Sequence, residues 1–182
     1  MENQTTKEVY FQNGQYTDFR QHVHESVIAE LTAGMVPAGE KPVAMLLGGG
    51  SASGKTSLSK MLLEGFRENN EGVVHVDSDK IKTMLPEHRA FVNQNPDTAA
   101  SRLHEESSDV AEKLYARCLE AKSNIILDGT MKSAAKVERM INMAREHGYT
   151  VSVVVADVPL EEALRRAEIR FKIEKRRVPE DV

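Results

Sequence analysis

The sequence predicts an α/β protein, a three-layer sandwich in which one parallel sheet lies between two layers of helix. Three observations carry that expectation. Short apolar runs alternate with amphipathic segments along the 182 residues, the pattern of strands buried on both faces by crossover helices. A loop of glycines and serines separates the first apolar run from the helical pattern after it. The later runs end in or run into Asp77, Asp128 and Asp157, and in such sheets ligands gather at the carboxyl ends of the strands.

Bulk properties narrow the class. With 40% hydrophobic and 29% charged residues the composition is that of an ordinary soluble protein, and the length suits one domain. A net charge of -4 argues against a general nucleic-acid or anionic-membrane binder. The single cysteine, Cys118, excludes an internal disulfide and falls on the apolar side of a helical pattern. No run approaches membrane-spanning length and the first residues do not form a signal peptide, so a soluble cytoplasmic protein is expected. The six histidines have no zinc-like spacing.

Residues 1–16 show no clear period and are expected to be a flexible lead-in to a domain over 17–182. Phe19, Val23, Val27 and Leu31, with Ile28, mark an amphipathic helix capped by Thr17 or Asp18. Gly34, Pro37, Gly39 and Pro42 make a linker into the strand Val43–Leu47. Leu58, Met61, Leu62 and Phe66 continue as a helix, and Val73–Asp77 is a second strand. A short helix stops at Pro86, and 86–100 is expected as a long exposed loop. Leu103, Ser107, Val110, Leu114 and Cys118 line a helix over 101–121; Asn124–Asp128 is the third strand. A helix over 133–147 uses Ala134, Val137, Ile141 and Ala144, and Val151–Val155 is the fourth strand. Pro159 opens a last helix with Glu161 and Glu162 in its first turn.

The pattern G-x-x-x-x-G-K-[ST] is met by Gly49, Gly54, Lys55 and Thr56. Gly49, Gly50, Ser51, Ala52, Ser53 and Gly54, with Lys55, Thr56 and Ser57, read as a nucleotide-phosphate cradle. Glycines let successive N–H groups curl around phosphate oxygens, and the helix that follows adds its unpaired donors. Lys55 reaches the outer phosphates and the Thr56 hydroxyl ligates Mg²⁺. A glycine-rich turn also serves packing alone, but the flanking strand and helix patterns favour phosphate.

Phosphoryl transfer further needs a base and cations. Asp77 and Asp79 follow the second strand; Asp79 is the candidate base, while Asp77 or Ser78 also suits a helix cap. Asp128 ends its strand in the manner of a Walker B carboxylate holding Mg²⁺, or else binds substrate with Thr130 and Lys132. Arg165, Arg166, Arg170, Lys172, Lys175, Arg176 and Arg177 crowd the last helix, most as a solvated face and one or two as lid cations. Glu105, Glu106 and Glu112 share the central helix, where exposed glutamates are the default reading.

The ordered set Leu-Leu-Gly-Gly-Gly-Ser-Ala-Ser-Gly-Lys-Thr-Ser, Val-Asp-Ser-Asp-Lys, Ile-Leu-Asp-Gly-Thr-Met-Lys-Ser and Arg-Arg-Val-Pro resembles the zeta toxin family over about residues 17–181. The resemblance implies a P-loop kinase fold that phosphorylates the 3′-hydroxyl of the amino sugar in UDP-N-acetylglucosamine with ATP and Mg²⁺, and an antitoxin protein as restraint. It implies Lys55 and Thr56 as phosphate and metal residues and Asp79 as base. Glu112, Asp128, Thr130 and Lys132 become substrate contacts, and Arg170 and Arg176 contact the ATP phosphates. Where the family has Glu and Arg, this chain has Asp128 and Lys132, which shortens one contact and replaces a fork with a point charge. The stretch between Arg170 and Arg176 is shorter than in the family. A fifth core strand expected after the lid helix has no counterpart before Val182. The domain is therefore read as C-terminally truncated or as leaning on another segment.

Overall fold

The computed structural model describes residues 4–50, 53–159, 161–162 and 165–166. Its elements are α1 (Thr6–Tyr10), β1 (Phe11–Gln12), β2 (Gln15–Tyr16), α2 (Asp18–Leu31), β3 (Val43–Gly48), α3 (Lys55–Glu68), β4 (Val73–Asp77), α4 (Ser78–Met84), α5 (His88–Gln94), α6 (Pro96–Glu120), β5 (Asn124–Asp128), α7 (Ala134–Glu146) and β6 (Thr150–Val155). They fall into two compact units, one of Met1–Gly34 with Asp77–Ala116, the other of Met35–Val76 with Arg117–Val182.

In the first unit residues 5–16 of the expected lead-in form a short helix and a two-stranded hairpin. Thr5 and Glu8 close a capping box on α1. Asn13 and Gly14, at φ +51° and +83°, then turn the chain between β1 and β2, which pair antiparallel. An Asn-Gly pair accepts two successive positive φ values, which suits the right-handed twist of a hairpin. The inward face of α2 also differs from expectation: Arg20, His24, Val27 and Ile28 are buried, whereas Phe19 is 66% exposed. Periodicity misled here because Glu106 of α6, itself fully buried, accepts from Arg20 Nη2 at 2.8 Å and lies 2.6 Å from His24 Nε2. An ion pair supplied from far along the chain lets polar residues hold core positions. Glu106 thereby departs from the exposed default. The loop expected over 86–100 is instead α5 and the first turn of α6, with Asn95 between them. The predicted α6 stripe of Leu103, Ser107, Val110, Leu114 and Cys118 is fully buried.

The second unit carries a four-stranded parallel sheet in the order β4-β5-β3-β6, as the alternation of strands and helices predicted. Register sets Leu47 beside Asp128 on one side of β3 and Gly48 beside Val155 on the other. Leu47, Phe66 and Ile126 form a core cluster packed by Met45, Leu58, Leu62, Leu63, Val73 and Val154. Met61, placed inward by the sequence pattern, is 60% exposed, because Leu63 takes the inward direction. On α7 the buried residues are Met140 and Ala144, while Ala134 is exposed. Cover is incomplete on β6, where Val153 and Val155 are 47% and 62% exposed. Asn124 pins the amino ends of the strands: its Oδ1 accepts from Val43 N–H at 2.9 Å and its amide donates to Gly72 O at 3.0 Å. The buried Cys118 thiol is the structural one expected, burial pushing its pKa up to about 12.

Candidate nucleotide-phosphate site

The sheet delivers the glycine loop at its carboxyl edge. β3 ends at Gly48, and its neighbours are tied to it just beyond their own last residues. Gly129 N–H donates to Leu47 O at 3.1 Å, and Ala156 N–H donates to Gly48 O at 2.8 Å. The loop thus leaves β3 between two chains already fixed in register.

Gly49, at φ +140°, sits so close to them that an added Cβ would lie 2.5 Å from Ala156 O and 2.7 Å from Ser53 Oγ. Only glycine fits that corner. Gly54, at φ +99°, is the left-handed N-cap of α3 and offers no side-chain acceptor. No acidic residue stands in the first turn of the 14-residue α3 either; Ser57 N–H donates to Gly54 O at 3.0 Å, while the Lys55 and Thr56 N–H groups have no backbone acceptor among the described residues. Lys55 bends back over the loop and donates to Gly49 O at 2.6 Å and Gly50 O at 3.2 Å. Among the described residues, Ser53 Oγ is buried without a hydrogen-bond partner. Ser51 and Ala52 lie outside the described residues.

Asp128 closes β5 beside Leu47, its side chain 14% exposed, with Oδ2 3.7 Å from His75 Nε2. That nitrogen is buried and has no hydrogen-bond partner among the described residues. Sequence pattern alone does not single out His75; its one signal is its position two residues before Asp77, on the same side of an alternating strand. Thr130 and Lys132 are exposed in the segment after β5. Between them Met131 holds φ +55°, a left-handed conformation costly for a bulky residue. Its sulfur would be 2.8 Å from a Cβ on Gly48, so the strained residue packs against the root of the loop.

Asp79 and Glu112 belong to the first unit, the loop with Thr56, Asp128, Thr130 and Lys132 to the second. Asp77 is the helix cap, its Oδ1 accepting from Asp79 N–H at 2.8 Å. The Asp79 carboxylate instead receives Lys82 Nζ at 2.7 Å, and Lys82 is 8% exposed. Arg170 and Arg176 lie outside the described residues, as does most of the helix expected from Pro159. Within that stretch Glu162 accepts from both Arg165 and Arg166.

A glycine loop between a central parallel strand and a helix N-terminus is the arrangement that phosphate binding asks for, and the family model for the zeta toxin matches residues 26–182. This chain belongs to the zeta toxin family. A calmodulin calcium-dependent NAD kinase of Arabidopsis thaliana is 33% identical over 110 residues, 57% of this chain and 21% of the relative. Toxin PezT of Streptococcus pneumoniae is 22% identical over 158 residues, 86% of this chain and 61% of the relative. In structure, the PezAT chromosomal toxin-antitoxin system of Streptococcus pneumoniae superposes with TM-score 0.76 at 20% identity, covering 88% of this chain and 65% of that one. The chain therefore spans between about a fifth and three fifths of these curated relatives.

Proposed function

We propose that this zeta toxin relative is an ATP- and Mg²⁺-dependent kinase whose acceptor is the 3′-hydroxyl of the amino sugar of UDP-N-acetylglucosamine. The observation that supports it most directly is the uncapped α3 terminus behind Gly54, with the Lys55 ammonium curled over the same loop. Phosphoryl transfer asks mainly for positioning and charge neutralisation, and this loop offers donors for both. Gly49 to Ser57 would cradle the ATP phosphates. Thr56 and Asp128 would hold Mg²⁺, and hydroxyl and carboxylate oxygens are the donors that ion prefers. The orphaned His75 nitrogen beside Asp128 is consistent with a carboxylate kept for something other than an internal bond. When bound, Mg²⁺ would supply charge neutralisation at the phosphates.

Asp79 would take the proton of the acceptor hydroxyl, and Glu112, Asp128, Thr130 and Lys132 would contact the acceptor. Arg170 and Arg176 would meet the phosphates. An antitoxin protein as partner is supported by the toxin-antitoxin system to which the chain is structurally similar. A cytoplasmic site of action follows from that substrate; among the described residues no helix is long and apolar enough to cross a membrane.

A second reading keeps the phosphoryl donor and changes the acceptor to a dinucleotide such as NAD. It is favoured by the relative named a NAD kinase, and by Asp128 and Lys132, which depart from the family at the residues assigned to the acceptor. The test follows ADP release from ATP and Mg²⁺ with UDP-N-acetylglucosamine, NAD and a panel of other sugar nucleotides. Turnover confined to UDP-N-acetylglucosamine supports the first reading and turnover confined to NAD the second. ATP binding without transfer to any acceptor would leave a nucleotide-binding module.

A further inference from the structure

Beyond the arginines that family resemblance assigns, another cation stands at the loop. A Cβ built on Gly54 would come 3.6 Å from Arg166 Nη1, so this guanidinium lies against the bare backbone of the α3 N-cap. Gly54 is held to glycine by its φ of +99°, and the approach is therefore a fixed property of the loop rather than of a replaceable side chain. The opposite edge of the same guanidinium is anchored: Arg166 Nε donates to Glu162 Oε1 at 2.6 Å, one turn back. Among the described residues, Nη1 and Nη2 of Arg166 have no acceptor, and the side chain is 42% exposed. Arg165 differs, since both its Nε and its Nη2 are engaged by Glu162, at 2.8 and 2.9 Å. Two guanidiniums on one carboxylate leave one positive charge in excess, and they hold the Glu162 pKa down at about 2. The carboxylate thus stays ionised and the anchor intact at any working pH.

We propose that Arg166 is a direct ligand of polyphosphate held at the Gly54–Lys55 end of the loop, and that Glu162 is its positioning residue. The proposal rests on the reading of the loop as a nucleotide-phosphate site. A planar guanidinium with one edge fixed presents its other donors to two phosphate oxygens at once. Together with Lys55 and the α3 N–H groups it surrounds an anion with three kinds of donor.

The experiment is calorimetric titration of the whole chain with inorganic tripolyphosphate, with ATP, and with adenosine. Arg166→Met should weaken tripolyphosphate and ATP about tenfold and leave adenosine unchanged; Arg166→Lys should recover part of the loss, and Arg165→Met should cost less than about threefold. Glu162→Gln should weaken tripolyphosphate too, but add nothing in the Arg166→Met background, since the two act as one device. Thermal melts control for folding. Wild-type affinity in Arg166→Met overturns the proposal alone, and a Glu162→Gln loss that persists without Arg166 overturns the positioning role. A wild-type chain that binds neither ATP nor tripolyphosphate overturns the loop reading as well. Binding with the expected losses but no transfer upholds Arg166 and defeats only the kinase reading.

Discussion

Lys82 is 8% exposed, yet its ammonium reaches back three residues to donate at 2.7 Å to the Asp79 carboxylate, whose side chain is 53% exposed. A lysine is rarely buried this far unless it is paired. The pair therefore fixes the rotamer of the carboxylate assigned as base. Lys82→Met, which keeps the stem and removes the charge, should lower kcat about 10-fold or more with the KM for ATP unchanged, and Lys82→Arg should restore part of it. Equal loss in kcat and in ATP affinity would point to a general structural role instead.

Asp79→Asn should retain ATP binding and lose about 10²- to 10⁴-fold in kcat, because an amide accepts no proton from the acceptor hydroxyl. Single-turnover assays beside ATP titration separate the two effects. A variant with near wild-type turnover would remove Asp79 from the mechanism.

Gly49→Ala puts a methyl 2.5 Å from the backbone oxygen of Ala156, which has no flexible way to retreat. The loop, rather than the side chain, must move. ATP affinity should fall by about tenfold or more, with only a modest change in melting temperature. Lys55→Ala should abolish ATP use while the protein stays folded, since the acceptors of its ammonium, Gly49 O and Gly50 O, are loop carbonyls. Unchanged ATP turnover in either variant would mean that phosphate is held elsewhere.

Burial raises the pKa of Glu106, but hydrogen bonds from His24, Arg20 and Thr6 outweigh it and bring the group down to about 2 from an ordinary 4.5. A carboxylate with a depressed folded pKa stabilises the native state above its unfolded pKa. That stability, on the order of 3 kcal/mol, is lost as pH falls from about 4.5 towards 2. Denaturant unfolding followed over this range should show the loss, and Glu106→Gln should flatten it. At pH 7, Arg20→Met should cost about 3–5 kcal/mol, because Glu106 is left charged in the interior.

Met131 gives the last test. Met131→Gly should relieve the strain of φ +55° and at the same time uncover Gly48, against which the thioether packs. The two effects oppose each other in stability, so the melting temperature should move by only a few degrees. Turnover should fall more, through a loosened loop root. A variant both more stable and fully active would show the strain to be incidental.

The sequence by itself determined the sheet, because the apolar runs at 43–48, 73–77, 124–128 and 150–155 are too short and too continuous to be anything else. It determined the loop as well: Gly49 and Gly54 occupy left-handed backbone positions that few other residues tolerate, so their chemistry is written locally. The Asn13-Gly14 pair is a local turn signal too, one that reading 1–16 as a flexible lead-in passes over. Only the tertiary structure decided which way α2 faces, since Arg20 and His24 enter the interior on the strength of Glu106, more than eighty residues away. The same holds for His75 beside Asp128 and for Arg166 over Gly54. A charged side chain takes its place from partners that the fold brings to it, and periodicity along one segment carries no record of them.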